Sequence, residues 1–415
     1  MALAPQARRE PNVCQTRILH ENPPTEYSET LSACIEPISK RAHLNADAEL
    51  EAPCRVRFAT DREREFMHDL KSRVGAYFEE RGISDKADGR MVFKAIAVLA
   101  MTFVPYGLIL SGLFTAPVML GLAIVMGVGV AGCGFCIAHD ALHGAYSSNR
   151  RINGLLGLTF DLMGASGYLW KITHNVIHHT YTNIQGIDED LEVSPLLRLS
   201  PESEHRPFHR YQHIYGLATY SLSTLFWVFA KDYKYILQKD LGPYRDIRHP
   251  RDEIVKMLAM KVLYYTYMIV IPLLVLDIPM WQFVIGFVAV HLTAGIILGV
   301  VFQLAHVVEG PEHFKADGQV MEDSWLVHEM KTTADFGRGN RLLCWYVGGL
   351  NFQIEHHLFP RVCSIHYPAI SPIVEAIARE HGIPYHSHAT LRESIRSHVR
   401  MLKQLGRPPV QATPA

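Results

Sequence analysis

The stretch "AIAVLAMTFVPYGLILSGLFTAPVMLGLAIVMGVGVAGCGFCIA", Ala95 to Ala138, contains no Asp, Glu, Lys or Arg. Its roughly 44 residues exceed the about 20 that one membrane-crossing helix needs. The stretch therefore predicts two spans, about 95–114 and 116–138, turning near Ser111 to Pro117. A second apolar region, from Ile254 to Ala305, is broken by Asp277, Pro279 and Trp281. These read as an interfacial turn between spans at about 256–276 and 281–305. The expected fold class is an all-α integral membrane protein, with four transmembrane helices as two hairpins under a cytoplasmic helical cap.

Orientation follows from the basic residues. The turns "SGLFTAP" and "LDIPMW" contain none of the chain's 40 Lys and Arg, so these residues fall in the termini, the central loop and the ends of the spans. Cytoplasmic loops are the ones enriched in Lys and Arg. Both termini and the loop from His139 to about Arg251 are thus expected in the cytoplasm, with Lys256 and Lys261 snorkelling to that side. Residues 1–55 read as a disordered cytoplasmic tail, 56–385 as the main domain, and 386–415 as a C-terminal helix and tail. The N-terminal segment is mixed polar, without the apolar core and cleavage site of a signal peptide.

Before the first span, Phe66, Leu70, Val74 and Phe78 recur at helical spacing and predict an amphipathic helix. "INGLLGLTFDLMGASGYL" and "YGLATYSLSTLFWVFA" are too short or too polar for complete spans and suit interfacial or re-entrant helices. A net charge of −1 gives no electrostatic footprint for nucleic acid. Seven scattered cysteines read as reduced thiols, and the Cys133/Cys136 pair as packing inside the second span.

The chemistry is carried by histidine. His139 and His143 in "AHDALHG" form an i, i+4 pair on one helix face. "THNVIHHTYTN" repeats that spacing with His174 and His178 and adds His179, rotated by about 100° on a helix of 3.6 residues per turn. "GGLNFQIEHHLFP" repeats the doublet as His356 and His357, with Gln353 one turn earlier, and His306 ends the fourth span. All four segments fall at one membrane face. Eight imidazoles there each bring a donor and an acceptor that need partners, and metal ligation satisfies them. The expected ligands are His139, His143, His174, His178, His179, His306, Gln353, His356 and His357, enough for two ions, with Asp140, Asp188, Asp190 and Glu355 as carboxylates behind them. Imidazole suits iron, zinc, copper or nickel, and spacing does not choose among them.

Other histidines are left out of this set. His205, His209 and His213 share helical spacing, but Pro207 interrupts their helix and they read as surface or interface residues. His291 lies inside the fourth span, roughly 22 Å from His306, and is expected to pack through hydrogen bonds. His386 and His388 read as surface residues.

The motifs "HDALH", "HNVIHH" and "QIEHH" resemble the three histidine boxes of the membrane-bound fatty acid desaturases, over about Val56 to Tyr385. Gln353 resembles the front-end, linoleoyl-CoA-desaturase-like subgroup. The resemblance implies a centre of two iron ions, O2 as co-substrate, two electrons per turnover, and a cis double bond made in an acyl-CoA or acyl-lipid chain. The HPGG motif of a fused cytochrome b5 domain does not occur, which implies a separate electron donor of ferredoxin or cytochrome b5 type with its reductase. Where some relatives place Asn one turn before the extra histidine, this chain has Phe302, leaving Gln303, Gln353 or water to complete the second ion. Arg150, Arg151 and Lys171 are candidates for the substrate headgroup. Gly348 and Gly349 are read as points of close approach to the bound chain. A hydroxylase of the same di-iron chemistry is the alternative. A metal transporter is a remote one, since the spans offer only His291 along a path.

Overall fold

A computed structural model describes residues 56–59, 63–192, 194–315 and 320–408. The tail expected over 1–55 lies outside the described residues, as does the end of the chain beyond 408. Four helices among them are long and apolar enough to cross a membrane: α1 (Gly89–Leu110), α2 (Ala116–His143), α3 (Arg251–Val275) and α4 (Met280–His306). α1 starts at Gly89 rather than near 95. Asp88 caps it, its carboxylate accepting from Arg90 N at 2.8 Å and Met91 N at 3.4 Å. Arg90 and Lys94 therefore sit inside the helix, where a reading based on charge-free runs cannot place them. α2 continues past 138 through a π-helical turn, Gly134–Ala138, so His139 and His143 belong to its last turns. α2 packs along both α1 and α4.

The segment after residue 206 does not lie apart from the spans. Helices Gln212–Ser221 and Ser223–Phe226 press on α4, where a Cβ at Gly295 would overlap the Ser221 carbonyl. Thr224 Oγ1 donates to His291 O at 2.9 Å. His291 packs as expected, with Nε2 2.7 Å from Tyr264 Oη and Nδ1 3.1 Å from Thr224 Oγ1. Lys261 does not snorkel. It is buried, 2.8 Å from Asp232 Oδ2, and donates to the carbonyls of Gly164, Trp227 and Val228. Inside a low-dielectric span a lysine needs such partners more than it needs water. Lys256 pairs with Glu253.

The remaining chain packs at the histidine-bearing ends of α2 and α4. Helix Arg64–Arg81 buries Phe66, Leu70, Val74 and Phe78 against α5 (Trp325–Thr332), α6 (Gln353–Leu358) and helix Tyr367–Glu380. The C-terminal α7 (Leu391–Leu405) is part of the same body, with Leu402 and Leu405 buried beside Tyr220 and Val307. Among the described residues, sheet is confined to three parallel two-stranded pairs of two or three residues. One of them joins Ala334–Phe336 to His386–His388, so His386 and His388 are half-buried rather than at the open surface. Cys133 and Cys136 are buried free thiols, beside Thr102 Oγ1 and the Tyr346 carbonyl.

Candidate metal centre

The end of α2, the π-helical stretch Lys171–His178 with the turn His179–Tyr181 that follows it, the end of α4 and the short α6 bring all eight selected histidines together. Their nitrogens fall into overlapping groups whose members lie within 4.8 Å of one another: His139, His143, His174 and His356; His178, His306 and His357; His179, His356 and His357. His174, His178 and Asp190 form a further group. All eight imidazoles are buried.

The π-helix changes the pairing that α-helical spacing predicts. A π turn bonds i to i+5 rather than i to i+4. His174 and His179, five apart, accordingly converge with their Nε2 atoms 3.2 Å apart. His178 turns instead to His306 and His357, with ring centroids at 4.7 and 5.1 Å. His174 thus joins the pair from α2, and His178 the neighbouring group. Trp170 stacks on His174 at 4.3 Å and meets His139 and His143 edge-on, closing that side of the cluster.

The polar atoms left over define what the cluster suits. Both ring nitrogens of His139 and His143, Nδ1 of His179, and Nε2 of His356 and His357 are buried without a hydrogen-bond partner. Orphaned buried nitrogens in such number are costly in a folded protein. Cations bound between them remove the deficit, and an all-imidazole donor set suits a borderline transition metal. The residues present therefore fit a metal centre.

Behind the imidazoles stand acceptors that fix their orientation. His178 Nδ1 lies 3.1 Å from both Asp188 oxygens, and Asp188 also accepts from Asn183 N and Asp190 N. Burial pushes His178 down, but the charge and hydrogen bond of Asp188 prevail and raise it to about 9. His174 Nδ1 approaches Asp190 at 3.5 Å; burial takes it down to about 3. Burial, then neighbouring imidazoles, hold His179, His356 and His357 well below the usual histidine range.

Two of the four expected carboxylates face elsewhere. Asp140 accepts from Ser364 N at 3.0 Å and Ser364 Oγ at 2.9 Å, and from the Cys363 thiol. Its 3.5 Å approach to His139 Nδ1 lacks hydrogen-bond geometry. Asp140 ties the first motif to the turn after the third, because one residue along a helix is a rotation of about 100° away from His139. Glu355 accepts from Tyr385 Oη at 2.8 Å, beside Asp335, and its carboxyl is raised first by burial and then by the Asp335 charge. Asp335 itself is raised to about 6 by burial. Asp188 and Asp190 do meet histidine, but the sequence missed two other groups that do. Glu329 Oε2 lies 2.6 Å from His357 Nδ1, and Thr332 O lies 3.1 Å from His306 Nδ1. The only sequence signal for Glu329 is an acid beside His328 in the largely apolar "WLVHEM", far in the chain from the histidine it meets. Gln353 is buried at the start of α6, its amide nitrogen donating to Leu350 O at 2.6 Å. Gln303 Oε1, one turn before His306, is buried without a partner.

A cavity of about 350 Å³ opens on this cluster. His174, His178, Gln303 and His306 lie on its polar side, together with Asp188 and Asp190, and Leu298, Phe302, Tyr220, Leu222 and Phe226 on its apolar walls. The cations among its lining residues are Lys231 and Lys234, not the expected Arg150, Arg151 and Lys171, which are exposed outside it. Gly348 and Gly349 also serve another purpose. Both have positive φ, and a Cβ would lie 2.6 Å from Phe135 O and Ser364 O respectively. They seat α6 on backbone, not on substrate. A second apolar cavity, of about 340 Å³, lies at the opposite ends of the spans and is lined by none of the eight histidines.

Residues 114–389 match the family model described as "Fatty acid desaturase". The chain is 38% identical over 343 residues to an sn-1 linoleoyl-lipid 6-desaturase of Arthrospira platensis, spanning 82% of this chain and 92% of that protein. It is 36% identical over 359 residues to the protein of the same description from Synechocystis sp., spanning 85% and 98%. An acyl-lipid (8-3)-desaturase of Physcomitrium patens is 33% identical over 353 residues, spanning 85% of this chain and 74% of its own length.

Proposed function

This chain belongs to the fatty acid desaturase family, and on that premise we propose that it introduces a cis double bond into a lipid-borne acyl chain at a site where its eight histidines would hold two iron ions. It is a membrane protein and an oxidoreductase of fatty acyl chains, with iron-dependent chemistry, acyl lipid substrates and an external electron donor. The proposal adds the ligand set, the number of ions and O2. The observation that carries it is the cavity: an apolar tunnel wall ends on His174, His178 and His306, where orphaned imidazole nitrogens gather.

The balance of the reaction sets what the site must do. Converting –CH2–CH2– to –CH=CH– releases two electrons and two protons. Reducing O2 to two waters takes four of each, so the donor supplies two electrons and solvent two protons. When bound, the iron pair supplies the oxidising power that breaks an unactivated C–H bond. The chain's own residues do the rest. Leu298, Phe302, Leu222 and Phe226 hold the acyl chain extended and keep water away. Asp188 holds the proton on His178 Nδ1, leaving Nε2 for metal. Gln303, with its amide oxygen unpartnered, faces the same cavity and is available to the group of His178, His306 and His357. The site and both termini are proposed to face the cytoplasm, because the turns 111–115 and 276–279 carry no basic residue.

The named relatives act on linoleoyl lipid or acyl-lipid substrates, and a glycerolipid-borne polyunsaturated precursor is the proposed substrate class here. The test is the fatty acid profile, with double-bond location, of a desaturation-deficient host expressing the chain beside His356→Ala. A new unsaturated species absent from the variant supports the reading. A hydroxylated product transfers the site to hydroxylation.

A further inference from the structure

Three of the four histidine-bearing segments meet one helix that supplies no member of the cluster. Along α5, Trp325 Nε1 donates to His179 O at 2.9 Å and His328 Nε2 donates to Thr182 O at 2.8 Å. Thr332 O faces His306 Nδ1, and Glu329 Oε2 sits 2.6 Å from His357 Nδ1 and 2.8 Å from Thr182 Oγ1. Trp325, His328, Glu329 and Thr332 are buried, and Glu329 and His328 are fully so. Thr182 Oγ1 also lies 2.6 Å from His178 O, so the carboxyl is tied to the backbone of the second motif as well as to the imidazole of the third.

A free imidazole rotates about its side-chain bond and exchanges tautomers, and each alternative points the wrong nitrogen into the cluster. An acceptor on Nδ1 removes both freedoms and makes Nε2 a better donor to metal. The group of His178, His306 and His357 has this support at every member: Asp188, Thr332 O and Glu329. The group of His139, His143, His174 and His356 does not, since His139 and His143 have no partner on either nitrogen.

We infer that Glu329 is the positioning residue of the group of His178, His306 and His357, holding His357 with Nε2 directed into it and making that group, and not the group of His139, His143, His174 and His356, depend on α5. The inference rests on the reading of the cluster as a metal centre. It predicts a selective effect, which a general packing role for Glu329 does not.

The experiment uses the full chain in nanodiscs, loaded with ⁵⁷Fe(II), as wild type, Glu329→Gln, Glu329→Ala, Glu329→Asp and His143→Ala. Iron per chain, Mössbauer spectra and the rate of iron release to a chelator are read together with a melting curve. In Glu329→Gln and Glu329→Ala, one of two iron populations is expected to be released about 10- to 100-fold faster. Glu329→Asp recovers part of the difference, and His143→Ala loses the other population. Thr182→Val, which leaves the carboxyl in place but unties it, gives the same selective change to a smaller extent and stands in if the Glu329 variants do not fold. Unchanged release and spectra in the Glu329 and Thr182 variants overturn the inference, as does equal loss of both populations. A wild type that takes up no metal overturns the metal reading itself, and the inference with it.

Discussion

Gly348→Ala tests whether the backbone contact between the first and third histidine motifs matters. Gly348 has φ of 63°, and an alanine Cβ there would meet Phe135 O at 2.6 Å, Phe135 C at 2.9 Å and Cys136 N at 3.3 Å. An L-residue in the left-handed region costs about 1–2 kcal/mol. Forcing a methyl against backbone that cannot swing aside adds about 1–3 kcal/mol. The expected destabilisation is therefore about 2–5 kcal/mol. Phe135 and Cys136 lie in the π turn of α2 just before His139, and Gly348 leads into α6 with His356. Relief of the clash thus separates two segments of one metal site. The control is Gly121→Ala in α2, where nothing lies within 4 Å of the added Cβ and alanine is favoured by about 1 kcal/mol. Purified full chain is heated, the monodisperse fraction remaining is measured, and iron per chain is determined on unheated samples. Gly348→Ala should melt well below both wild type and Gly121→Ala and hold less iron. Equal melting and equal iron for the two variants would refute the reasoning.

Other outcomes are expected from other parts of the site. His306→Ala should abolish the new fatty acid in the host assay and lower iron per chain with little change in melting; a fully active variant would remove α4 from the ligand set. Leu222→Trp, at a half-exposed wall of the cavity, should leave iron content unchanged while shifting product toward shorter chains; an unaltered chain profile would place the substrate elsewhere. Lys261→Met strands the buried Asp232 carboxylate and should cost about 3–5 kcal/mol, read in the same melting assay, with part regained in Lys261→Met/Asp232→Asn. Stripping iron with a chelator should abolish desaturation, and iron alone should restore it; restoration by zinc would refute a redox role.

The sequence alone determined the spans and the histidines, because both are local signals. Absence of charge over Ala95–Ala138 has one stable outcome in a bilayer, where backbone groups must bond within a helix. Spacings such as His139/His143 are read directly on a helix face. The sequence also named all eight members of the cluster, since so many imidazoles at one depth have few other uses. Span ends were less legible: Asp88 extends α1 through Arg90 and Lys94, and capping outweighs the charges of the first turns. Only the tertiary structure decided how the histidines divide. A π-helix at Lys171–His178 sets His174 against His179 and sends His178 to the other group, and no α-helical count reveals that. It also decided which acids stand behind them. Asp188 is ten residues from its histidine and was found, whereas Glu329 reaches His357 from another helix, 28 residues away. Asp140 and Glu355, though next to histidines in the chain, point elsewhere because adjacent residues on a helix face different directions. Proximity along the chain fixes local geometry, but a buried carboxyl finds its partner through packing, which the order of residues does not record.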